Sequence, residues 1–476
     1  MLNPNQKTGI KKEDLIPNIL LLSANILFII LFLLLGYYNR FATDDFAYYF
    51  RVRDMGIWDA FVFAYKTWNT RWASILLMNM MMKIFSPESS LLEYYILLLG
   101  LFFVAVYRMM KALFAFLLFE INRVFIANIS LLFISGFFLF TFGINDSWFW
   151  MNASTIYIFP VILFCLGVSF MLNDKDNFFT HLMLNICFLL AGGGNEPFAI
   201  IIIYLLFSVW IKQVVPSSFT VLRHHSKPHL YKINAAILIT ITSFFINAFC
   251  PGIAVRQGFL PPSNAGHIVA SIGYSLFLLG KTVVLEKSWF IVPYLISWML
   301  VGGYIAKGNR ILNYSTKAIT NGMVIWLLII AMFTVSVSAI MLHGMPPMRT
   351  MTVISFFMAI GIAVVGFFIG YHYFNLKFFR IICNIGILAL SLSLSITIVI
   401  QYPIVKARAG AYDQRIAVLK ALETNHTTAS QKVSQLPPSG WLYGGDISSD
   451  TANIQNRYLR DALGLHFAVS VEGKQE

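Results

Sequence analysis

A succession of long apolar runs restricts the fold of this chain more than any other feature. A helix needs roughly 20 apolar residues to cross a hydrocarbon core about 30 Å thick. Phe, Leu and Ile fill the runs without a period-two alternation, which favours helices over a β-barrel. The pattern therefore predicts an all-α polytopic membrane protein with about 11–13 transmembrane helices. The runs cover residues 15–38, 73–86, 91–119, 124–143, 155–172, 179–191, 197–212, 233–250, 289–306, 319–341, 350–373 and 381–402.

Composition and charge agree with a lipid environment. Hydrophobic residues make up 58% of the 476 residues and charged residues only 12%, whereas a soluble domain carries roughly 25% charged residues. The net charge of +13 does not predict nucleic-acid binding, because the basic residues lie in short loops between apolar runs, as in cytoplasmic loops of membrane proteins. The four cysteines have no metal-ligand spacing and are interpreted as small buried residues: Cys165, Cys187, Cys250 and Cys383.

The basic loops also predict an orientation in the cell's inner (cytoplasmic) membrane. Basic residues that mark cytoplasmic segments are Lys7, Lys11, Lys12, Arg223, Lys227, Lys232, Lys307, Arg310, Lys317, Lys377 and Arg380. Segments 39–72, 143–154, 192–196, 251–288 and 343–349 then face outward, and so does the polar tail. Strict alternation conflicts with these loops unless run 91–119 crosses twice or one early run is re-entrant.

Two regions of different composition divide the chain. Residues 1–402 form the predicted transmembrane domain, with 39–72 as its first outward loop, and 403–476 form a small extracytoplasmic tail. Within the tail, 412–422 predicts a helix. About 70 residues are marginal for an independent core, so we expect the tail to pack on the outer face.

An acidic pair, Asp44 and Asp45, follows the first apolar run and stands among aromatic residues. An ordinary solvated loop is one interpretation. The aromatic setting favours partial desolvation instead, which raises the pKa of a carboxyl group and makes it a better general base.

The segment after the pair predicts an amphipathic helix. Five apolar residues recur at helical spacing: Trp58, Phe61, Val62, Tyr65 and Trp68. Such a helix lies in the membrane interface, where it either roofs a site or simply anchors the surface.

Cationic residues in outward segments are candidates for binding a phosphate group. Arg71, Arg256 and Arg349 have the side chain suited to bidentate phosphate contacts, and Lys281 and His267 are weaker candidates. Flanking or snorkelling is the alternative for any single one of them.

Two further outward segments contain acids beside groups suited to ligand binding. The glycines 192–194 precede Asn195 and Glu196, and a glycine run permits close backbone approach to a ligand. Glu196 is alternatively a helix-capping carboxylate. Asp146 stands beside Trp148 and Trp150, which suit stacking on sugars or membership of an interfacial tryptophan belt. Metalloprotease, nucleophile-elbow and Walker motifs are absent from the sequence.

Taken together, these motifs resemble the GT-C glycosyltransferases. The resemblance rests on an amino-terminal helix, the acidic pair at the start of a first outward loop, and the amphipathic segment that follows. More narrowly, a branch of bacterial polytopic proteins near that superfamily is similar in Trp68-Asn69-Thr70-Arg71, in Gly194-Asn195-Glu196, in Pro251 to Arg256, and in Gly445-Asp446-Ile447.

The resemblance implies transfer of a sugar from a polyprenyl-phosphate carrier to a glycan, glycolipid or protein acceptor on the outer side of the membrane. It implies that Asp44 or Asp45 is the catalytic base, that the cations hold the leaving phosphate, and that Asn69 and Trp68 contribute to substrate binding. Some branches use a divalent metal. The outward acids here are few and scattered, so a metal-independent, inverting enzyme without cofactor is the expectation. The alternatives are a transporter or flippase, and a ligase or polymerase of surface polysaccharide, acting on a lipid-linked substrate.

Overall fold

The computed structural model describes residues 12–117, 119, 121–173, 176–214, 230–258, 264–306, 316–373, 377–426 and 429–472. Several basic residues that predicted the orientation lie outside the described residues: Lys7, Lys11, Arg223, Lys227, Lys307 and Arg310.

Helices dominate the chain. They are α1 (Lys12–Tyr38), α2 (Asp44–Thr67), α3 (Trp72–Ile84), α4 (Leu92–Phe116), α5 (Arg123–Phe140), α6 (Ile144–Ser147), α7 (Met151–Tyr157), α8 (Phe159–Met171), α9 (Phe178–Gly194), α10 (Glu196–Val214), α11 (Leu230–Ala248), α12 (Gly252–Gly258), α13 (Ala265–Thr282), α14 (Ser288–Ala306), α15 (Thr316–Leu342), α16 (Thr352–Tyr373), α17 (Lys377–Thr424) and α18 (Ile454–Leu463). A π-helical segment, Val283–Lys287, joins α13 to α14, and a 3-10 turn, Met348–Met351, precedes α16. Strands β1 (Gln431–Val433) and β2 (Val469–Val471) pair in parallel.

The polytopic all-α architecture predicted from the apolar runs is confirmed. Among the described residues, nine helical stretches are long and apolar enough to cross a membrane. They are Ile19–Tyr38, Leu92–Phe116, Arg123–Phe140, Met151–Met171, Leu230–Ala248, Ala265–Ala306, Thr316–Leu342, Met348–Tyr373 and Ile381–Thr424. Three shorter apolar helices accompany them: Trp72–Ile84, Phe178–Gly194 and Glu196–Ile211.

Run 91–119 does not cross twice. It forms one helix, α4, of 25 residues, and the charged side chain inside it does not interrupt the helix. The guanidinium of Arg108 lies 4.6 Å from the ring centroid of Phe170 on α8, so a neighbouring helix accommodates the charge. The conflict in the predicted orientation therefore needs another origin than a break in α4.

The segment 251–288, predicted to be an outward loop, is largely helical instead. It contains α12 and the 18-residue apolar helix α13. The abundance of Gly, Ala and Ser in α13 hid it from a search for Phe, Leu and Ile. His267 and Lys281 lie near opposite ends of α13, about 21 Å apart along its axis.

The predicted boundary between 402 and 403 falls inside a continuous helix. α17 has 48 residues and includes Pro403, and about 72 Å of helix exceeds any bilayer core. The predicted helix at 412–422 is its distal part. Beyond it, α18 packs against α2, and a bidentate ion pair joins Arg40 to Asp413 at 2.7 and 2.8 Å.

Aromatic rings fill the core where α1, α4 and α5 pack together. Trp148 is fully buried there and donates a hydrogen bond of 2.9 Å to Thr141. Its ring contacts those of Phe32, Phe137 and Phe138. Trp148 is therefore a packing residue, and the structure does not offer its ring to a sugar.

Candidate functional site

The acidic pair begins α2, directly after a strained residue. Thr43 has φ of 46° and ψ of −110°, a conformation that β-branched residues rarely adopt. Such strain persists only where the surroundings impose it, and it clusters at functional positions. The strained turn gives the two neighbouring carboxyl groups different surroundings.

Asp45 is a buried structural group. Its side chain is 1% exposed, and its two oxygens accept hydrogen bonds from the backbone N–H groups of Asn152, at 3.0 Å, and Ala42, at 3.1 Å. These bonds tie the start of α2 to α7. Burial raises the pKa of Asp45 to about 8, against the opposing effect of the two hydrogen bonds and with a further increase from Asp44. Both carboxyl oxygens of Asp45 are therefore engaged by the backbone, and its buried side chain is closed to a ligand.

Asp44 is only half-buried. Burial raises the pKa of its carboxyl group, while the nearby amide side chain of Gln455 and the charges of Arg349 and Arg51 oppose that rise. An aspartate with raised proton affinity, a partly open face and nearby cations suits general-base chemistry. Of the two acids, Asp44 is the one that a ligand can reach.

A stacked aromatic pair lies beside Arg349, in the segment before α16. The rings of Trp150 and Tyr443 stack at 4.4 Å with an interplanar angle of 6°, and the guanidinium of Arg349 lies 5.2 Å from the Trp150 ring centroid. Burial raises the pKa of Asp146, and the charge of Arg349 opposes that rise. Arg349 is therefore held by a cation–π contact between two acids, Asp44 and Asp146.

A second acid and arginine pair lies deeper in the protein. Arg71 donates to Glu196 at 2.8 Å, with side-chain exposures of 16% and 4%, and Thr70 donates a short hydrogen bond to the same carboxylate. Burial alone would lower the pKa of Arg71, but the attraction of Glu196 outweighs it and the pKa is raised. The Arg71 guanidinium also lies 5.9 Å from the Tyr157 ring centroid.

Arg256 stands between these two groups. Burial lowers its pKa, and Arg71 and Arg349 lower it further, while Glu196 and Tyr157 raise it. Within the described residues, Arg256 has no ion pair. The three arginines predicted from separate segments therefore come within electrostatic reach of one another, and positive charge at Arg256 is left without a direct counter-ion.

Tyr48 and Asn69 lie between Asp44 and the Arg71 pair. The Asn69 amide donates to the Tyr48 hydroxyl at 3.2 Å, and the Asn69 oxygen accepts from the backbone N–H of Arg71 at 3.3 Å. Burial raises the pKa of Tyr48, the Asn69 bond lowers it, and the charge of Asp44 raises it again. Asn69 therefore positions Arg71 and lies within the cluster.

The glycine run beside Glu196 packs helices together. An added β-carbon would stand 2.4 Å from the Trp72 indole at Gly193 and 2.5 Å from Pro160 at Gly194. The expected close approach is thus to neighbouring side chains, not to a ligand. Asn195 caps α10 by accepting from the Phe198 N–H at 3.1 Å, and its amide nitrogen is buried without a hydrogen-bond partner among the described residues.

Three other predicted site residues are not shown to join this cluster. Trp68 ends α2 and is 49% exposed. Lys281 is exposed near the end of α13. His267 is also exposed and lies close to Gly344 in the segment before Arg349.

Sequence reasoning did not find Tyr443, Gln455, Tyr48 and Tyr157. The only local signal was the glycine-rich segment 444–447, next to Tyr443. The described residues contain no group of three or more His, Cys, Asp or Glu side chains arranged to hold a metal ion.

The outcome is a cluster of three acids and three arginines that influence one another's charge, namely Asp44, Asp146, Glu196, Arg71, Arg256 and Arg349. Such a cluster can accept a proton at Asp44 and receive an anion at Arg256 and Arg349. Comparison of the chain with protein-family models, with curated proteins and with solved structures finds no match.

Proposed function

We propose that the protein is a membrane glycosyltransferase of the GT-C type. It transfers a sugar from a polyprenyl-phosphate-linked donor to an acceptor hydroxyl on the outer side of the cytoplasmic membrane. The observation that carries the proposal is the position of Asp44. It is half-buried, has a raised pKa, and lies within the electrostatic reach of an arginine cluster that can hold a phosphate.

The reaction follows from these positions. The acceptor oxygen forms a bond to the anomeric carbon while the bond from that carbon to the carrier phosphate breaks, with inversion. The bonding electron pair leaves on the phosphate oxygen, and the acceptor proton passes to Asp44. Arg256 and Arg349 stabilise the charge that develops on the phosphate. No step requires a metal.

Asp44 is the base in this proposal, and Asp45 is the structural partner. Asp45 already accepts two backbone hydrogen bonds and is only 1% exposed, so it is closed to an acceptor hydroxyl. Asp44 has the partly open side chain. The structure thus supports a choice between neighbours that the sequence leaves open.

Single substitutions in proteoliposomes test this choice. The donors are tritiated glucose, galactose and mannose linked to undecaprenyl phosphate, supplied with a membrane extract as acceptor. We expect Asp44→Asn to lower transfer by about 10²–10⁴-fold with unchanged thermal unfolding. Asp45→Asn should instead lower the thermal stability and retain transfer in the protein that remains folded.

Full activity in both variants would exclude this pair as the source of the base. Movement of the donor across the bilayer without a new glycosidic product would favour a flippase, and transfer of a whole glycan would favour a ligase or polymerase.

A further inference from the structure

The carboxyl-terminal tail brings side chains to Asp44. Helix α18 packs on the first half of α2, where Arg53 donates to the carbonyl oxygens of Asp461 and Ala462 at 3.0 Å each. The Tyr458 ring lies 6.3 Å from that of Phe50. These contacts satisfy the last carbonyl groups of α18 and hold the tail helix against the element that begins with the acidic pair.

Gln455 is fixed at the start of α18. Asn453 caps the helix by accepting from the backbone N–H of Gln455 at 2.9 Å, and the Gln455 side chain is near enough to Asp44 to lower the pKa of its carboxyl group. An ionised carboxylate attracts hydrogen-bond donors, so the amide nitrogen is the end of Gln455 that stabilises it. The Gln455 amide oxygen is left, and it is buried without a partner among the described residues.

A buried acceptor without a partner is energetically costly, so a ligand that donates to it gains affinity. Gln455 lines a crevice together with Thr43 and Gly445, beside the strained turn that presents Asp44. The indole nitrogen of Trp150, which stacks on Tyr443 of the same tail, is also buried without a partner in the described part of the chain. Gln455 and Trp150 belong to different elements, and each therefore has a hydrogen-bonding atom in this region that is unused.

We propose that Gln455 determines acceptor specificity by accepting a hydrogen bond from a second hydroxyl of the molecule whose first hydroxyl Asp44 deprotonates. The acceptor is then a carbohydrate with two neighbouring hydroxyls. A serine or threonine side chain offers one hydroxyl and leaves the Gln455 oxygen unpaired, which disfavours it. This inference rests on the proposed function. Gln455 takes no proton itself, so it is a specificity-determining residue and not the base.

The test compares probes that share a chain and differ in hydroxyl number. Octyl glucoside, octyl galactoside and octyl mannoside carry neighbouring hydroxyls, and 1-octanol carries one. Each serves as acceptor, below its critical micelle concentration, in proteoliposomes with the labelled donors. We expect the wild type to prefer at least one glycoside over octanol. Gln455→Met changes the pKa of Asp44 for both acceptors, so the readout is the ratio of the two kcat/KM values, which should fall about tenfold in favour of octanol.

Two further variants separate specificity from folding. Gln414→Met replaces an exposed amide on α17 and should change neither rate. Gln455→Glu keeps an acceptor oxygen but adds a charge beside Asp44, so both rates should change together and the preference for the glycoside should remain. An unchanged preference in Gln455→Met, with thermal unfolding equal to that of Gln414→Met, would overturn the inference.

Binding is measured separately, by saturation-transfer NMR of the three glycosides on the protein in nanodiscs. If no variant transfers sugar but Gln455→Met weakens glycoside binding about tenfold, the proposed function fails and the carbohydrate site stands. If transfer proceeds and Gln455→Met alters neither binding nor preference, the site assignment fails and the proposed function stands.

Discussion

Two carboxylates of this protein meet arginines, and they do so in opposite ways. Glu196 contacts Arg71 directly at 2.8 Å and also accepts from Thr70, with almost no exposure. The charges of Arg349 and Arg51 lower the pKa of Asp44 without direct contact, and within the described chain Asp44 has no ion pair. The amide side chain of Gln455 also lowers the pKa of Asp44.

The difference separates a structural pair from an available group. A buried ion pair fixes the elements that carry it, and both carboxylate oxygens of Glu196 already accept hydrogen bonds. Arg71 and Glu196 thereby fasten the start of α3 to the start of α10. Asp44 keeps a raised proton affinity and a partly open face, and Arg256 nearby keeps its charge uncompensated. The proposed chemistry uses the second arrangement.

The largest predicted effect concerns the ion pair between Arg71 and Glu196. Glu196→Gln leaves the buried Arg71 charge without a counter-ion, which should lower the free energy of unfolding by about 3–5 kcal/mol. SDS-titration unfolding in mixed micelles measures it. Glu88→Gln is the matched control, because its ion pair with Lys420 has exposures of 53% and 42% and should contribute about 0–1 kcal/mol.

A double variant sharpens this prediction. Replacing both members, Arg71→Met with Glu196→Leu, removes the unpaired charge and should restore much of the lost stability. Equal losses in Glu196→Gln and Glu88→Gln would contradict the assignment of the Arg71 and Glu196 pair as a structural fastening.

A smaller effect concerns the kink at Gly56 in α2. α2 carries Asp44 at its start and leads to Arg71 at its end, and Gly56 between them has φ of 82° and ψ of 170°. Only glycine adopts this conformation readily, so Gly56→Ala should cost about 1–3 kcal/mol, although an added β-carbon meets nothing within 4 Å. Thermal unfolding measures the loss.

The control for Gly56 is Gly100, inside α4, where an added β-carbon also meets nothing within 4 Å. Gly100→Ala should be neutral or stabilising by about 0.5–1 kcal/mol. If the two variants change the free energy of unfolding by the same amount, the backbone conformation of Gly56 does not constrain α2 between Asp44 and the Arg71 and Glu196 pair.

The sequence predicts the helices better than it predicts the site. Apolar runs are dictated by bilayer thickness, and most correspond to observed helices, whereas α13 was missed because its small residues dilute the apolar signal. Trp148 and Trp150 are two positions apart and look equivalent in sequence. Their separation arises in a short irregular segment, where one ring enters the core and the other reaches Arg349.

The choice between Asp44 and Asp45 needed contacts that no local pattern encodes. The N–H that satisfies Asp45 comes from Asn152, 107 positions away. Gln455 and Tyr443 come from the tail, beyond the last transmembrane run, where the sequence offered no periodicity or motif that pointed toward the acidic pair. Local chemistry therefore located the region, and long-range packing assigned the roles.

The smallest predicted effect concerns how the charge of Arg349 influences the pKa of Asp44. Asp44 must be ionised to act as a base, so transfer is lost as pH falls through its pKa, which burial places above the ordinary aspartate value. Arg349 lowers that pKa, and Arg349→Gln should therefore move the acidic limb of the kcat/KM profile up by about one pH unit.

Arg349→Lys keeps the charge and should leave the limb in place, even if weaker phosphate binding lowers the whole profile. The position of the limb reports the proton affinity of Asp44, whereas the height of the profile reports binding. An acidic limb that stays fixed in Arg349→Gln would mean that Asp44 does not sense this cation, and the contrast with the tightly paired Glu196 would lose its electrostatic basis.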